Sequence, residues 1–334
     1  YMHRGTNLIT NRSDNITLAN YIKNWDSYGP TWNNVDTQSN KFIQNGTGTV
    51  TLSNNSNDFY GKLQAVNGGL TITGSAGNGS NYVTNNGQAV IFDTTNATSN
   101  NQYINNISGT GTFSVTGTGK LELYDSRNGT FTGATTIDSG ATLQLDYGKL
   151  GGDITNNGTL YFYNPQTINY AGVISGIGNL KQNQGNLTFS GANTYTGATS
   201  IGPDNGSTFY LGNGGTTGSL ASASNISIGS DSTLYFNRSN AMTVANTISG
   251  AGAVSLVTQS GRDWNTDPSA IVTLTGDNTY TGITYLNPFT QLQLGSDGTT
   301  GSLASSSNIY MHRGTNLITN RSDNITLANY IKNW

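Results

Sequence analysis

The 334-residue sequence contains no cysteine, few prolines and very little charge. Only 9% of its residues are Asp, Glu, Lys or Arg, against about 25% in ordinary proteins. Without cysteine the chain has no disulfide framework. The 14 basic and 17 acidic residues leave a net charge of −3, which excludes nucleic-acid binding by a basic surface. No apolar run reaches the roughly 18 residues that a membrane span requires.

Small polar and flexible residues make up about half of the chain. The chain has 49 Thr, 46 Asn, 44 Gly and 33 Ser, which are poor helix formers, and a single glutamate at Glu122. A helical bundle is therefore excluded. The hydrophobic fraction of 34%, with 10% aromatic residues, is more than a flexible linker carries, so the chain is not disordered. It has no recognisable signal peptide, and we expect it to be a segment of something longer.

The chain repeats itself on two scales. Residues 1–25 and 310–334 are identical, at an offset of 309 residues. Chance cannot produce this match, so either a 309-residue unit recurs in tandem or the chain was made to overlap itself. Shorter matches lie inside the unit, such as 215–226 with 298–309 and 193–197 with 278–282. They divide the unit into about four cycles, lengthened by irregular insertions near 23–41 and 257–270.

Within each cycle, short runs alternate apolar and polar residues and end at Gly, Asn, Asp or Ser. This alternation is the signature of a half-buried β-strand, and the closing residues are typical of turns. The inward pairs are predicted to be Phe113 and Val115, Leu121 and Leu123, Leu143 and Leu145, Leu160 and Phe162, Leu187 and Phe189, Phe209 and Leu211, Ile226 and Ile228, and Leu292 and Leu294.

Many short strands in an open-ended tandem favour a β-solenoid over a closed propeller, because a propeller needs a fixed number of blades. We predict an all-β fold over residues 1–334. It is expected to be one continuous single-stranded, right-handed parallel β-helix with about 13–15 coils of 20–25 residues. The composition follows from this fold. Like charges stacked at strand spacing repel, whereas Asn, Thr and Ser form hydrogen-bonded ladders.

Three segments resemble the autotransporter-associated β-strand repeat, also called the passenger-associated transport repeat. They are GNLTFSGANTYTGATSI at 185–201, IVTLTGDNTYTGITYL at 271–286 and SRNGTFTGATTIDSGATLQLD at 126–146. The first cycle, at 53–74, departs from the motif, since Asp58-Phe59 replaces Thr-Tyr. The resemblance implies the passenger stalk of a large Gram-negative surface protein, often an adhesin, that is exported through an outer-membrane barrel. The motif is structural, so it carries no functional residue with it.

The residues offer little for catalysis. The two histidines, His3 and His312, are one position in two copies, and there is no cysteine nucleophile and no His or Cys metal cluster. Arg262, Asp263 and Asp267 come nearest to the charged groove of a glycosidase or lyase, and a solvated loop explains them more simply. The sequence therefore predicts no enzyme activity, no cofactor and no metal.

Two loops suit ligand binding better. One carries Trp25, Tyr28 and Trp32 with Asp26 and Asp36, and the other carries Trp264. Aromatic residues on loops form sugar-stacking platforms or protein-binding hot spots. The alternative, which we favour, is that these residues only cap or pad the side of the solenoid.

The preferred interpretation is a non-catalytic rod or stalk segment of a giant tandem-repeat bacterial surface fibre or adhesin. It would be extracellular and anchored to the outer membrane through parts outside this chain. Its expected partners are adjacent copies of the 309-residue repeat, stacked end to end. A second hypothesis is a module that binds a glycan or a host or neighbouring-cell protein through a lateral face or the Trp-bearing loops. A third, less favoured, is a carbohydrate-active β-helix enzyme.

Overall fold

The computed structural model describes residues 6–22, 40–55, 59, 61–74, 82–95, 101–104, 106–124, 131–146, 150–203, 205–257 and 271–333. The chain divides into two compact units, Tyr1–Phe162 and Tyr163–Trp334. Throughout the described ranges every regular element is a β-strand. In the same ranges no helix is long and apolar enough to cross a membrane.

The first unit contains three ladders of stacked strands. One ladder consists of β1 (Asn7–Thr10), β3 (Lys41–Gln44), β5 (Lys62–Ala65), β7 (Tyr82–Asn85) and β10 (Asn106–Gly109). The second consists of β2 (Ile16–Leu18), β4 (Val50–Leu52), β6 (Leu70–Ile72), β8 (Ala89–Asp93), β11 (Thr112–Thr116), β13 (Thr135–Ile137) and β15 (Ile154–Asn156). The third consists of β9 (Asn101–Ile104), β12 (Lys120–Leu123), β14 (Thr142–Leu145) and the start of β16 (Thr159–Tyr170).

The second unit begins with the short β17 (Ile174–Ser175) and also contains three ladders. The longest consists of β18 (Asn179–Phe189), β20 (Ser207–Leu211), β22 (Thr233–Asn237), β25 (Ala253–Val257), β27 (Thr284–Leu286), β29 (Ile309–Met311) and β31 (Ile331–Asn333). The next consists of β19 (Thr199–Ile201), β21 (Ile226–Ile228) and β24 (Ile248–Gly250). The last consists of β23 (Met242–Val244), β26 (Ile271–Leu274), β28 (Gln291–Gly298) and β30 (Asn316–Arg321).

Neighbouring strands are parallel and one coil apart in the chain, so each unit is a β-solenoid. Val50, Leu70 and Val90, for example, are register partners in three successive coils. The longest ladder of each unit contains seven strands and therefore spans six coil-to-coil steps within that unit. The predicted all-β solenoid of stacked parallel strands is therefore confirmed.

Two coils are clearly longer than the predicted 20–25 residues. The coil from Asn7 to Lys41 takes 34 residues, and the coil from Val254 to Thr284 takes 30. Both contain the stretches that we interpreted as insertions, most of which lie outside the described residues. A single continuous solenoid over 1–334 stays a prediction.

The core is a narrow column of apolar side chains inside each unit. All sixteen residues predicted to point inward are buried, so the alternation pattern identified the inner face correctly. In the first unit Phe92, Phe113 and Phe131 pack edge to face, with ring centroids 6.0 Å apart at each step. In the second unit the Phe189 and Phe209 rings lie 5.0 Å apart. Each coil thus stacks its aromatic side chain on that of the previous coil.

The corners of the coils explain much of the glycine. The segments beginning Ile-Ser-Gly place Gly109, Gly176 and Gly250 at φ values of 114°, 100° and 100°, a region that other residues rarely adopt. A Cβ at Gly250 would lie 2.2 Å from the Ile228 carbonyl oxygen of the previous coil. These corners therefore require glycine both for the backbone turn and for the close approach of two coils.

Polar side chains form the expected ladders along the outside. The Asn45 amide donates to Asn11 Oδ1 at 2.8 Å, and the Asn67 amide donates to Asn45 Oδ1 at 3.2 Å. One column departs from the expectation that like charges avoid each other, because Lys41 and Lys62 are direct register partners on β3 and β5.

Candidate binding surface

The most recognisable sequence motif lies inside the solenoid. The Tyr195 hydroxyl lies 2.6 Å from Thr199 Oγ1, which lies 3.0 Å from Ser224 Oγ of the next coil. Tyr280, Thr284 and Ser307 repeat the arrangement at 2.7 and 3.0 Å. Burial raises the pKa of Tyr195, and it raises the pKa of Tyr280 to about 12. Both hydroxyls therefore stay protonated and hold neighbouring coils together instead of meeting a ligand.

The motif asparagine ties together three turns of the chain. The Asn278 amide donates to the Gly276 and Ser302 carbonyl oxygens at 2.8 and 3.1 Å, and its Oδ1 accepts from the Ile248 backbone N–H at 3.0 Å. Asn193 makes the same three kinds of bond in the preceding cycle. The repeat motif is thus a buried hydrogen-bonded staple with a structural role.

The cycle at 126–146 lacks part of this staple. Phe131 stands where the other two cycles have tyrosine, and Thr135 follows it by four residues as Thr199 follows Tyr195. Thr135 Oγ1 is buried and has no hydrogen-bond partner among the described residues. The tyrosine hydroxyl that bonds to the corresponding threonine in the other two cycles is absent here.

A buried polar cluster lies on β12 and at the end of β14. The Lys120 ammonium bonds to Glu122 Oε1 and, at 3.0 Å, to Gln144 Oε1, while the Gln144 amide donates to Asp146 Oδ1 at 2.6 Å. Burial, followed by the neighbouring Glu122 charge, raises the pKa of Asp146, and the Gln144 hydrogen bond and the Lys120 charge oppose the rise. Because these polar groups bond to one another, we interpret the cluster as a structural polar ladder.

The lateral face of the second unit carries a row of tyrosines at one position of successive strands. In the register of the longest ladder, Thr188 is followed by Tyr210, Tyr235, Ser255, Tyr285, Tyr310 and Lys332. We call Tyr210, Tyr235, Tyr285 and Tyr310 the tyrosine column. All four are half-buried outward-facing side chains, so their rings are partly accessible to solvent.

The tyrosine column consists of two ring pairs with a small residue between them. Tyr210 and Tyr235 are stacked, with centroids 4.6 Å apart, and Tyr285 and Tyr310 meet edge to face at 5.7 Å. The Lys332 ammonium lies 5.8 Å from the centre of the Tyr310 ring. Burial first, and then the neighbouring Tyr210 and Tyr285, raise the pKa of Tyr235. The four tyrosine rings and the Lys332 side chain thus present flat apolar faces with polar groups at their edges, a surface suited to ring stacking and hydrogen bonding.

The sequence interpretation missed the tyrosine column. Part of its signal was present, since Tyr210 lies between the inward-facing Phe209 and Leu211 of a predicted strand. The four residues share a face only once the coil lengths between them are known, and the step from Ser255 to Tyr285 spans an irregular stretch of unpredictable length.

The residues chosen as ligand contacts, Trp25, Tyr28, Trp32 and Trp264, all lie outside the described residues. So do His3, Asp26, Asp36, Arg262, Asp263 and Asp267. Their roles stay predictions. His312, the second copy of His3, is half-buried, and no group of three or more His, Cys, Asp or Glu among the described residues is placed to hold a metal ion.

Comparison with known proteins agrees with the repeat geometry. The family model for the passenger-associated-transport repeat matches residues 113–145, 180–202 and 269–287. These ranges overlap the three segments in which the resemblance was seen, and they contain the threonines of the staples and the unpaired Thr135. The resemblance is therefore confirmed.

The chain is also similar to the autotransporter adhesin/invasin TibA of Escherichia coli O78:H11. The two are 31% identical over 202 residues, which is 56% of this chain and 19% of that protein. The match thus spans about a fifth of the length of the relative. No solved structure matches the chain.

Proposed function

Because the chain carries passenger-associated-transport repeats, we propose that it is a non-catalytic structural segment of a bacterial cell-surface fibre or autotransporter-type adhesin. Its role is to hold binding parts of a longer protein away from the cell. The segment is extracellular, and regions outside this chain attach it to the outer membrane.

The observation that supports this proposal best is the use of the repeat motif. In two cycles the motif's tyrosine and threonine form a buried chain of hydrogen bonds with a serine of the next coil. Such bonds repeat for as long as the sequence repeats, because each coil supplies the partner for the next. A protein selected for length and stiffness requires this property, whereas a protein selected for one reaction site does not.

The tyrosine column favours a second candidate function. A row of half-exposed tyrosines on a rigid ladder can bind flat rings, with the phenol hydroxyls fixing their orientation. On this hypothesis the lateral face binds a glycan of a host or neighbouring cell, and the Trp-bearing loops contribute further contacts. The name of the relative, an adhesin and invasin, is compatible with either candidate.

A glycan array with the purified chain separates the two functions. A structural segment gives no glycan signal above background. A glycan-binding face gives a signal that is lost when Tyr235 and Tyr285 are replaced by alanine and kept when the exposed Tyr124, outside the column, is replaced. Binding lost only on replacement of Trp25, Trp32 and Trp264 would assign it to the loops instead.

The enzyme hypothesis has a direct test as well. Glycoside hydrolysis requires two carboxyl groups that flank one bond. In the described residues, the buried pair Glu122 and Asp146 is bonded to Lys120 and Gln144. Incubation with surface polysaccharides should therefore release no reducing sugar, and release that stops on Glu122→Gln would overturn the non-catalytic proposal.

A further inference from the structure

The two identical segments of the chain use opposite edges of the same strand. Residues 7–10 and 316–319 both read Asn-Leu-Ile-Thr. In the first copy this strand pairs with the coil that follows, Leu8 lying opposite Phe42. In the second copy it pairs with the coil that precedes, Leu317 lying opposite Leu292.

We propose that these two pairings are the two halves of one join, through which successive 309-residue units stack in register. The partner is a second copy of this repeat. In the join, one Asn-Leu-Ile-Thr strand lies between Gln291–Leu294 of one unit and Lys41–Gln44 of the next. This inference rests on the rod role proposed above and names its partner.

Backbone hydrogen bonding allows both pairings at once. The Lys41 and Asn45 N–H groups donate to the Thr6 and Thr10 carbonyl oxygens at 3.3 and 2.8 Å, so even-numbered positions of the first copy face the following coil. The Asn316 N–H, which corresponds to Asn7, donates to the Thr290 carbonyl oxygen of the preceding coil at 3.2 Å. Alternate residues of a parallel strand point to opposite edges, so no backbone group is required twice.

Exposed large apolar side chains are concentrated in the two identical segments. Eight large hydrophobic side chains are exposed among the described residues, and five belong to the two copies: Leu8, Ile9, Tyr21, Tyr330 and Ile331. Leu8 is 37% exposed although it points inward opposite the fully buried Phe42. If two 309-residue repeats were joined, the equally buried Leu292 of the preceding repeat would lie on the other side of Leu8. Leu317 already has Leu292 in this position.

A repeated arginine supplies a clamp across the join. In the second copy the Arg321 guanidinium donates to the Thr299 carbonyl oxygen of the preceding coil, and only 10% of its side chain is exposed. Arg238, in the same Asn-Arg-Ser sequence, donates in the same way to the Thr216 carbonyl oxygen. In the first copy Arg12 bonds to Asp14 and is 58% exposed. A preceding 309-residue repeat would supply the carbonyl oxygen to which Arg12 donates.

The test is residue-resolved amide hydrogen exchange on a chain in which residues 1–309 precede the full 334-residue chain. We expect the internal Asn-Leu-Ile-Thr copy to be protected at odd and even positions alike. The amides of Asn7 and Ile9 in the first copy should exchange at least about tenfold faster than their internal counterparts. If the internal copy pairs on only one edge, half of its amides will exchange quickly and the join is disproved.

Arginine variants give an independent readout on the 334-residue chain. Arg321→Ala should lower its unfolding temperature, as should the matched control Arg238→Ala, whereas Arg12→Ala should leave it unchanged. In the longer chain, Arg→Ala at the internal copy should speed exchange at the join. Equal destabilisation by Arg12→Ala and Arg321→Ala in the single unit would overturn the clamp. These readouts do not depend on cell adhesion, so failure of the join and failure of the surface role are separable.

Discussion

At the scale of single residues, several hydrogen-bonding side chains are buried and form bonds between neighbouring coils. Tyr280, Thr284 and Ser307 form a continuous chain of hydroxyls, and Asn278 bonds three separate carbonyl or amide groups. A buried hydrogen bond contributes about 0.5–1.5 kcal/mol, and leaving one partner unpaired costs more than the average bond gains. The stability of these cycles therefore depends on a few buried side chains. Tyrosine, threonine and serine are residue types that also occur in active sites, but here their buried positions give them a structural role.

Completing the unfinished staple should stabilise the protein. In Phe131→Tyr the new hydroxyl meets the unpaired Thr135 Oγ1, and we expect the free energy of unfolding to rise by about 0.5–1.5 kcal/mol. The matched control Tyr280→Phe removes the same bond in another cycle and should lower it by a similar amount. Denaturant unfolding of the three chains measures both changes. A loss of stability in Phe131→Tyr would mean that the two cycles differ in ring placement.

The buried Asp146 should make stability depend on pH. Burial raises its pKa in the folded chain above the unfolded value of 3.8, so the ionised carboxylate opposes folding at neutral pH. This cost is present above the folded pKa and is relieved as the pH falls through it towards 3.8. Asp146→Asn should therefore be more stable than the parent chain at pH 7, with the difference vanishing at acid pH.

Urea unfolding at several pH values measures the Asp146 effect. Asp231→Asn, at an exposed position, is the control for removing one carboxylate from the chain. A parent chain that becomes steadily less stable than Asp146→Asn as the pH falls would contradict the assigned direction.

At the scale of strands and coils, register decides which side chains meet. Most outward columns are built from Asn, Thr, Ser and Tyr, which stack without repulsion. The exception is Lys41 on Lys62 in β3 and β5. Two ammonium groups one strand spacing apart repel, and the coil tolerates them because their long side chains can diverge into solvent.

Reversing one of these charges should be stabilising. In Lys62→Glu the stacked pair becomes attractive, and we expect a gain of about 0.2–1 kcal/mol in the free energy of unfolding. The gain should shrink as salt is added, because the charges are at the surface. Lys181→Glu, whose register partner is the neutral Ser200, is the matched control. No gain at low salt would mean that the two lysines do not interact.

The elements also show how far sequence reasoning reaches. Alternation identified inward residues such as Leu143, Phe162 and Phe209, because every coil must bury the same face. It could not place Tyr235 beside Tyr210 or Lys41 beside Lys62, because those pairs depend on the residues in each coil. Nor could it find the Phe131 defect, since only the structure shows that Thr135 Oγ1 lacks the tyrosine hydroxyl. Nor could it give the length of each coil, because residues inserted into a loop lengthen a coil without adding a strand to the ladder.

At the scale of the whole molecule, the repeat determines how the protein can grow. A strand that pairs with a preceding coil in one copy and a following coil in the other can be extended in both directions without new chemistry. A fibre of this kind gains stability from each interface between neighbours, and its length is set by the number of units. A structural surface segment would therefore serve the rest of its protein through its length.

Electron microscopy can measure the contour length of chains with one, two and three 309-residue repeats. This measurement tests the stacked structural segment most directly. Each 309-residue repeat should add a constant increment of about 60 Å, since its coils of about 24 residues stack at the strand spacing of about 4.8 Å. A compact body would grow far less, because its radius rises only as about the 0.38 power of chain length. Equal increments would support a stacked structural segment. Particles whose longest dimension grows by only about a third on doubling would contradict it.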